Sequence, residues 1–199
     1  MSDDQDDAKA DSAESQNEMN AHYFARSGCE YYASARFGMH AQQSYICGNL
    51  FHHAVEMLLK AGLAKKGKSL DEMKRMGHDL KSLWRAYKAI HGDGELERHN
   101  GTINTLNKHE DIRYPNSRLG SIGVGLQWSG NPPEVKTFGA LKTPKQYALV
   151  VDKIDDLVAD IIKTSSWNPG GFVGHNPAAL EAIRRNNEHA DFLTHGKIP

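Results

Sequence analysis

The chain has 199 residues, 24 basic against 25 acidic, for a formal net charge of −1. That length suits one domain able to bury a core without disulfides or metal, and no run reaches the roughly 18 apolar residues of a membrane span. Cys29 and Cys47 lack a CxxC spacing and read as small buried hydrophobes, so a reduced, cytoplasmic protein is expected, with no secretory signal.

Residues 1–20 carry seven acidic residues and Lys9 alone, a local −6 that leaves about +5 on the remainder. With no aromatic or branched residues to offset chain entropy, residues 1–19 read as a disordered acidic tail. From about Asn20 to Arg36, Phe24, Gly28, Tyr31 and Ala35 recur at helical steps, and Gly28 allows close packing. A second helix is expected from about His40 to Ala61, with Ile46, Leu50, Ala54, Met57 or Leu58, and Ala61 inward. Gly62 and the KKGK stretch break that pattern. Asp79 opens a third helix whose core face is Leu80, Leu83, Trp84, Tyr87 and Ile90, since a carboxylate favours the positive end of the helix dipole.

A fourth helix is expected from about Glu95 to Glu110, anchored by Leu96, Ile103 and Leu106 and weakened by Gly101. A glycine-rich connection follows, RLGSIGVGLQWSGNPPEVKTFG, in which Val124–Trp128 and Val135–Phe138 offer a short hairpin. Thr143 as N-cap and Pro144 in the first turn open the fifth helix, with Tyr147, Val150, Val151, Ile154, Leu157, Val158, Ile161 and Ile162 inward and Asp152, Asp156 and Asp160 outward. After Thr164 comes a linker, and Asn176 with Pro177 caps a last short helix to about Leu193 that docks on the bundle or on a second copy. The predicted fold is therefore all-α: an up-and-down bundle of about five core helices over residues 20–164, with a glycine-rich loop, followed by a linker and extra helix over 165–199.

The order of NLFHHAVEMLLKA at residues 49–61, then GHDLKSLW, then IRYPN before a final core helix resembles the HEPN superfamily (higher eukaryotes and prokaryotes nucleotide-binding) over residues 20–164. The resemblance implies a helical bundle, frequent homodimers, and members that are ribonucleases, toxin-antitoxin or defence components, or non-catalytic partners of nucleotidyltransferases. The ribonuclease branch uses an arginine followed after four to six residues by a histidine, for phosphate binding and proton transfer. Where the resemblance would place this pair the chain reads Arg113, Tyr114, Pro115, Asn116, Ser117, Arg118, with no histidine. Arg85 with His91 and Arg184 with His189 satisfy the spacing elsewhere, but nine arginines and 11 histidines give about 1.5 such matches by chance. The chain thus resembles a branch lacking the ribonuclease motif at its usual place.

Asn49, His53, Glu56 and Lys60 fall on one side of the second helix at steps of four, three and four, and His52 pairs with Glu56 at four. They read as a structural polar stripe. A zinc site would need a third ligand, from His78, Asp79 or His109, and no metal or other cofactor is expected. Arg113, Tyr114 and Arg118 are the nucleotide- or phosphate-facing candidates, two guanidiniums and an aromatic that can hold a phosphate and stack on a base. The alternative is that Arg113 pairs with Glu110 or Asp111 while Tyr114 packs under the loop. Gly120, Gly123 and Gly125 do not sit between a strand and a helix as a phosphate loop requires. Lys65, Lys66, Lys68, Lys74 and Arg75 form a basic cluster without interleaved aromatics. The expected function is a non-catalytic HEPN-like module, without catalytic residues, that binds nucleotide, RNA or a protein partner as a homodimer. A metal-independent HEPN ribonuclease is the second reading and a metal-dependent helical hydrolase the third.

Overall fold

The computed structural model describes residues 3–92, 94–109, 122–130, 145–171 and 176–196. Helices dominate: α1 (Asp3–His40), α2 (Ser44–Lys65), α3 (Leu70–Met76), α4 (Leu80–His91), α5 (Asn100–Asn107), α6 (Val151–Thr164), α7 (Pro177–Arg184) and α8 (Ala190–His195). The class is all-α. Among the described residues the only sheet is a parallel pair, β1 (Ile122–Gln127) with β2 (Lys145–Val150), in register from Ile122↔Lys145 to Gln127↔Val150. No helix of the described residues is long and apolar enough to cross a membrane.

The α1–α2 hairpin is the spine. Ala21, Ala25, Cys29 and Ala35 are buried along α1, and small side chains let α2 approach closely. A Cβ on Gly28 would lie 2.7 Å from Leu58 Cγ. Farther along α2, a Cβ on Gly62 would lie 2.5 Å from the Tyr87 ring of α4 and 2.6 Å from Ser165 Oγ just past α6. Three helices therefore meet at a residue with no side chain. Phe51, Val55, Leu58, Leu59 and Leu63 of α2 pack with Leu80, Leu83 and Tyr87 of α4, Ile103 and Leu106 of α5, and Ile154, Leu157, Val158 and Ile161 of α6 to form one core.

Several boundaries differ from the expected ones. The α1 backbone is helical from Asp3 and not from Asn20. Its inward residue is Tyr32, fully buried, while Tyr31 is 40% exposed with its ring against His53. Ile46 is 54% and Ile90 36% exposed; each lies near a helix end, beyond the packed middle. The α2 helix runs through Gly62 to Lys65. The segment KQYALV, read as the start of the fifth helix, forms β2, so α6 begins only at Val151; its aromatic and β-branched residues suit a strand. That strand pairs with β1 in parallel; the second arm of the expected hairpin, at 135–138, lies outside the described residues, as do Thr143 and Pro144. The fourth helix opens with a 3-10 segment, Glu95–His99.

Two helix starts follow their sequence signals. Asp79 caps α4 by accepting from Lys81 N, and Asn176 caps α7 by accepting from Ala178 N and Ala179 N. The last helix is broken at Arg185–His189, where Asn186 has a φ of +53°. Its two halves dock on the bundle and bury Ile183, Phe192 and Leu193.

Of side chains 14–19 only Asn17 is even half-buried. Deleting residues 1–19 should therefore leave the melting temperature within a few degrees of the full chain. A collapse in a thermal scan would show that the start of α1 supports the core.

Candidate functional site

The polar groups of the bundle include two assemblies centred on buried charges, and a cavity adjoins the second. The first is the α2 stripe. Glu56 is wholly buried and accepts from Lys60 Nζ at 2.7 Å and from His78 Nδ1 at 3.0 and 3.1 Å, with His53 Nδ1 at 3.4 Å. Burial pushes its carboxyl up, but hydrogen bonds from His53, Lys60 and His78 outweigh this and hold it at about 2. His52, also buried, donates from Nδ1 to Leu106 O at 3.1 Å, because a carbonyl can only accept. Its Nε2 is 3.8 Å from the Glu56 carboxylate. Asn49 is half-buried one turn earlier.

Of the residues considered as a third metal ligand, only His78 reaches Glu56. Asp79 is occupied as a cap and with Ser82 Oγ at 2.6 Å, and His109 lies against Gly48. Burial and the nearby His52 lower the His109 pKa to about 4. Among the described residues, no group of three or more His, Cys, Asp or Glu is arranged to hold a metal ion.

The second assembly is centred on Arg36 and Asp155, neither of which was singled out in the sequence. Arg36 NH1 lies 2.5 Å from Asp155 Oδ2, and both side chains are almost fully buried. Tyr32 donates its hydroxyl to Asp155 Oδ1 at 2.6 Å and accepts from Asn187 Nδ2 at 3.0 Å. The remaining guanidinium donors reach the end of α7: Nε to Ala182 O at 3.1 Å, and NH2 to Ile183 O at 3.4 Å and to Arg185 O. Arg36 also lies over the Trp128 ring, 5.2 Å from its centroid, and His40 stacks on that ring at 5.0 Å. Burial pushes the Asp155 carboxyl up to about 6, against the opposing pull of Arg36 and Tyr32.

Beside this assembly is a cavity of about 680 Å³. One wall is α6, where Asp152, Asp155 and Asp156 share a face at helical spacing. The facing wall is the turn between α7 and α8, bringing Asn187, Glu188 and His189, and Trp128 at the end of β1 lines the same space. Asp156 accepts from His189 Nε2 at 3.1 Å and from Arg98 NH2 at 3.2 Å, and Arg98 continues to Asp160 at 2.5 Å. Four carboxylates thus line the cavity beside Lys153; Asp155 is paired with Arg36 and Asp156 with Arg98 and His189, while Asp152 and Glu188 are exposed.

The other sequence candidates are dispersed. Arg113, Tyr114 and Arg118 lie outside the described residues. Arg85 is exposed on α4, while His91 stacks on Tyr87 at 4.3 Å. Arg184 NH2 meets His195 Nε2 at 3.0 Å, whereas His189 turns to Asp156. Most of the basic cluster is engaged locally: Lys65 with the Ser165 and Ser166 carbonyls, Lys68 with Glu72, Lys74 with Asp71, and Arg75 with the Asp71 carbonyl. Ser69 and Glu72 form a capping box on α3, a helix that the S-x-x-E spacing in this stretch could have disclosed. The aspartates at 152, 155 and 156 were readable as a triplet on one helix face, but nothing local marked the arginine at position 36 as their partner. No protein-family model, curated protein or solved structure matches the chain.

Proposed function

We propose that the protein is a non-catalytic HEPN-like binding module whose ligand is a protein partner presenting a cationic side chain to the acid-walled cavity. The observation that carries this reading is the carboxylate lining: Asp152 on α6 and Glu188 in the α7–α8 turn are the exposed carboxylates of the cavity, beside Asp155 and Asp156, which are engaged by Arg36, Arg98 and His189. Phosphates of a nucleotide or RNA would meet the Asp152 and Glu188 carboxylates there, whereas a guanidinium or ammonium would meet acceptors. Local pairing of most of the basic cluster weakens the case for a nucleic-acid surface on that side. The ribonuclease reading gains nothing from the spaced pairs, since Arg184 turns to His195 and His189 to Asp156. Among the partner classes the HEPN resemblance implies, this favours a protein such as a nucleotidyltransferase over free nucleotide.

Tryptophan fluorescence titration provides the test, with an arginine-containing peptide compared against AMP and a single-stranded RNA. The peptide should bind, more weakly as salt rises. Asp152→Asn together with Glu188→Gln, both at exposed positions, should weaken it by about tenfold or more. Binding of AMP or RNA that these substitutions leave unchanged, with no response to the peptide, would overturn the reading.

A further inference from the structure

The two walls of the cavity belong to different parts of the molecule, and the contacts joining those parts use residues of the cavity itself. One wall is α6 of the bundle. The other is carried by the α7–α8 unit, residues 176–196, whose core contribution is modest: Ala182, Ile183, Phe192 and Leu193. Polar joints complete its attachment. Arg36 ties Asp155 to the Ala182, Ile183 and Arg185 carbonyls, capping the C-terminal end of α7 from the body of α1. Asn187 bonds Tyr32, which bonds Asp155, and His189 bonds Asp156. Asp155, Asp156, Asn187 and His189 are therefore both joint and wall.

The geometry points to a latch: the α7–α8 unit undocks from the bundle as a unit of its own, and its docking is linked to occupancy of the cavity. The linkage rests on the proposed reading that the cavity takes a cationic group. A ligand bridging α6 and the Asn186–His189 turn makes its full set of contacts only in the docked form, so it must shift the equilibrium toward docking. By reciprocity, anything that loosens the joint lowers apparent affinity by the fraction of molecules left docked. Arg36 is a positioning residue here, since it holds the second wall in place and is not among the residues lining the cavity.

Hydrogen exchange on the full chain tests this, with agmatine as a guanidinium probe and Ile183→Ala as the variant. Ile183 is buried in the α7–α8 seam and does not line the cavity, so its truncation loosens the latch without touching a wall. Arg36→Gln is less suitable because it leaves Asp155 buried without its cation. Asn187→Ala is the second variant, breaking the joint to Tyr32 without stranding a charge. Without ligand, amides of α7 and α8 should exchange about tenfold faster in Ile183→Ala than in the wild type, with α2 and α4 unchanged. Saturating agmatine should slow α7–α8 exchange in both proteins, and agmatine should bind Ile183→Ala more weakly. If α7–α8 exchanges only together with the bundle in the wild type and both variants, the latch is overturned while the proposed function stands. Agmatine that binds, by fluorescence, but leaves α7–α8 exchange unchanged overturns the linkage alone. Failure of agmatine to bind the wild type overturns the cationic-ligand reading and the linkage with it, while the ligand-free comparison still decides whether the unit opens separately.

Discussion

Replacing Glu56 with alanine should lower the free energy of unfolding by about 3–5 kcal/mol, because removing one partner of a buried ion pair strands the other. Lys60, 8% exposed, would lose its 2.7 Å acceptor, and His53 and His78 would lose the same carboxylate. Urea denaturation at pH 7 measures the loss. A value under about 1 kcal/mol would show that the stripe behaves as solvated surface. Acid titration gives a second reading. The folded carboxyl titrates at about 2 against an ordinary 4.5, so the unfolded chain binds the proton first. This contribution is complete above pH 4.5 and is lost as the pH falls through about 2. A chelator should leave the melting temperature unchanged, because a metal held only by the native state would otherwise be stabilising it. One equivalent of metal per chain, lost together with stability in Glu56→Ala, would move the hydrolase reading to first place.

Trp84→Ala should cost about 3–5 kcal/mol, the range for emptying a buried aromatic site. The ring is 3% exposed and stacks on Tyr87 with centroids 5.8 Å apart, and its Nε1 donates to Asn100 Oδ1 at 2.7 Å. Removing it opens a void between α4 and α5 and leaves the Asn100 carbonyl without this donor. Trp84→Phe should recover much of the apolar contact and none of the hydrogen bond. The same urea series checks both variants, and a Trp84→Ala loss under about 1 kcal/mol would mean that α4 faces the core differently.

Periodicity was a sound guide wherever a helix buries one continuous stripe. Leu80, Leu83, Trp84 and Tyr87 of α4, and Ile154, Leu157, Val158, Ile161 and Ile162 of α6, are buried as their spacing implies. It was a poor guide on α1, where small residues carry the contact and an apolar count prefers Tyr31 to Tyr32. Local pattern also could not separate β2 from the start of α6, because KQYALV suits a strand as well as a helix and only its pairing with β1 decides. The α2 stripe was legible because its members lie three and four residues apart on one helix. The Arg36–Asp155 pair was not, since it joins residues 119 positions apart, and a lone arginine among alanines carries no signal of what it will meet. The cavity shares that limit, because its two walls are adjacent only in three dimensions.

The missing side chain at Gly62 bears on how this sequence can drift. On an exposed helix, exchanging glycine for alanine is favourable by roughly 0.5–1 kcal/mol, so random substitution tends to retain the change. At Gly62 the added methyl would have to share space with Tyr87, whose hydroxyl is already held by Ile161 O and Ser165 Oγ. At Gly48 it would lie 2.2 Å from His109 Nδ1, whereas at Gly101 it would meet nothing within 4 Å. Distant descendants of this chain are therefore free to lose the glycine at 101, while those at 48 and 62 persist or change only together with their neighbours. That uneven pattern of tolerated replacement is a signature by which remote relatives can be found where overall similarity has faded.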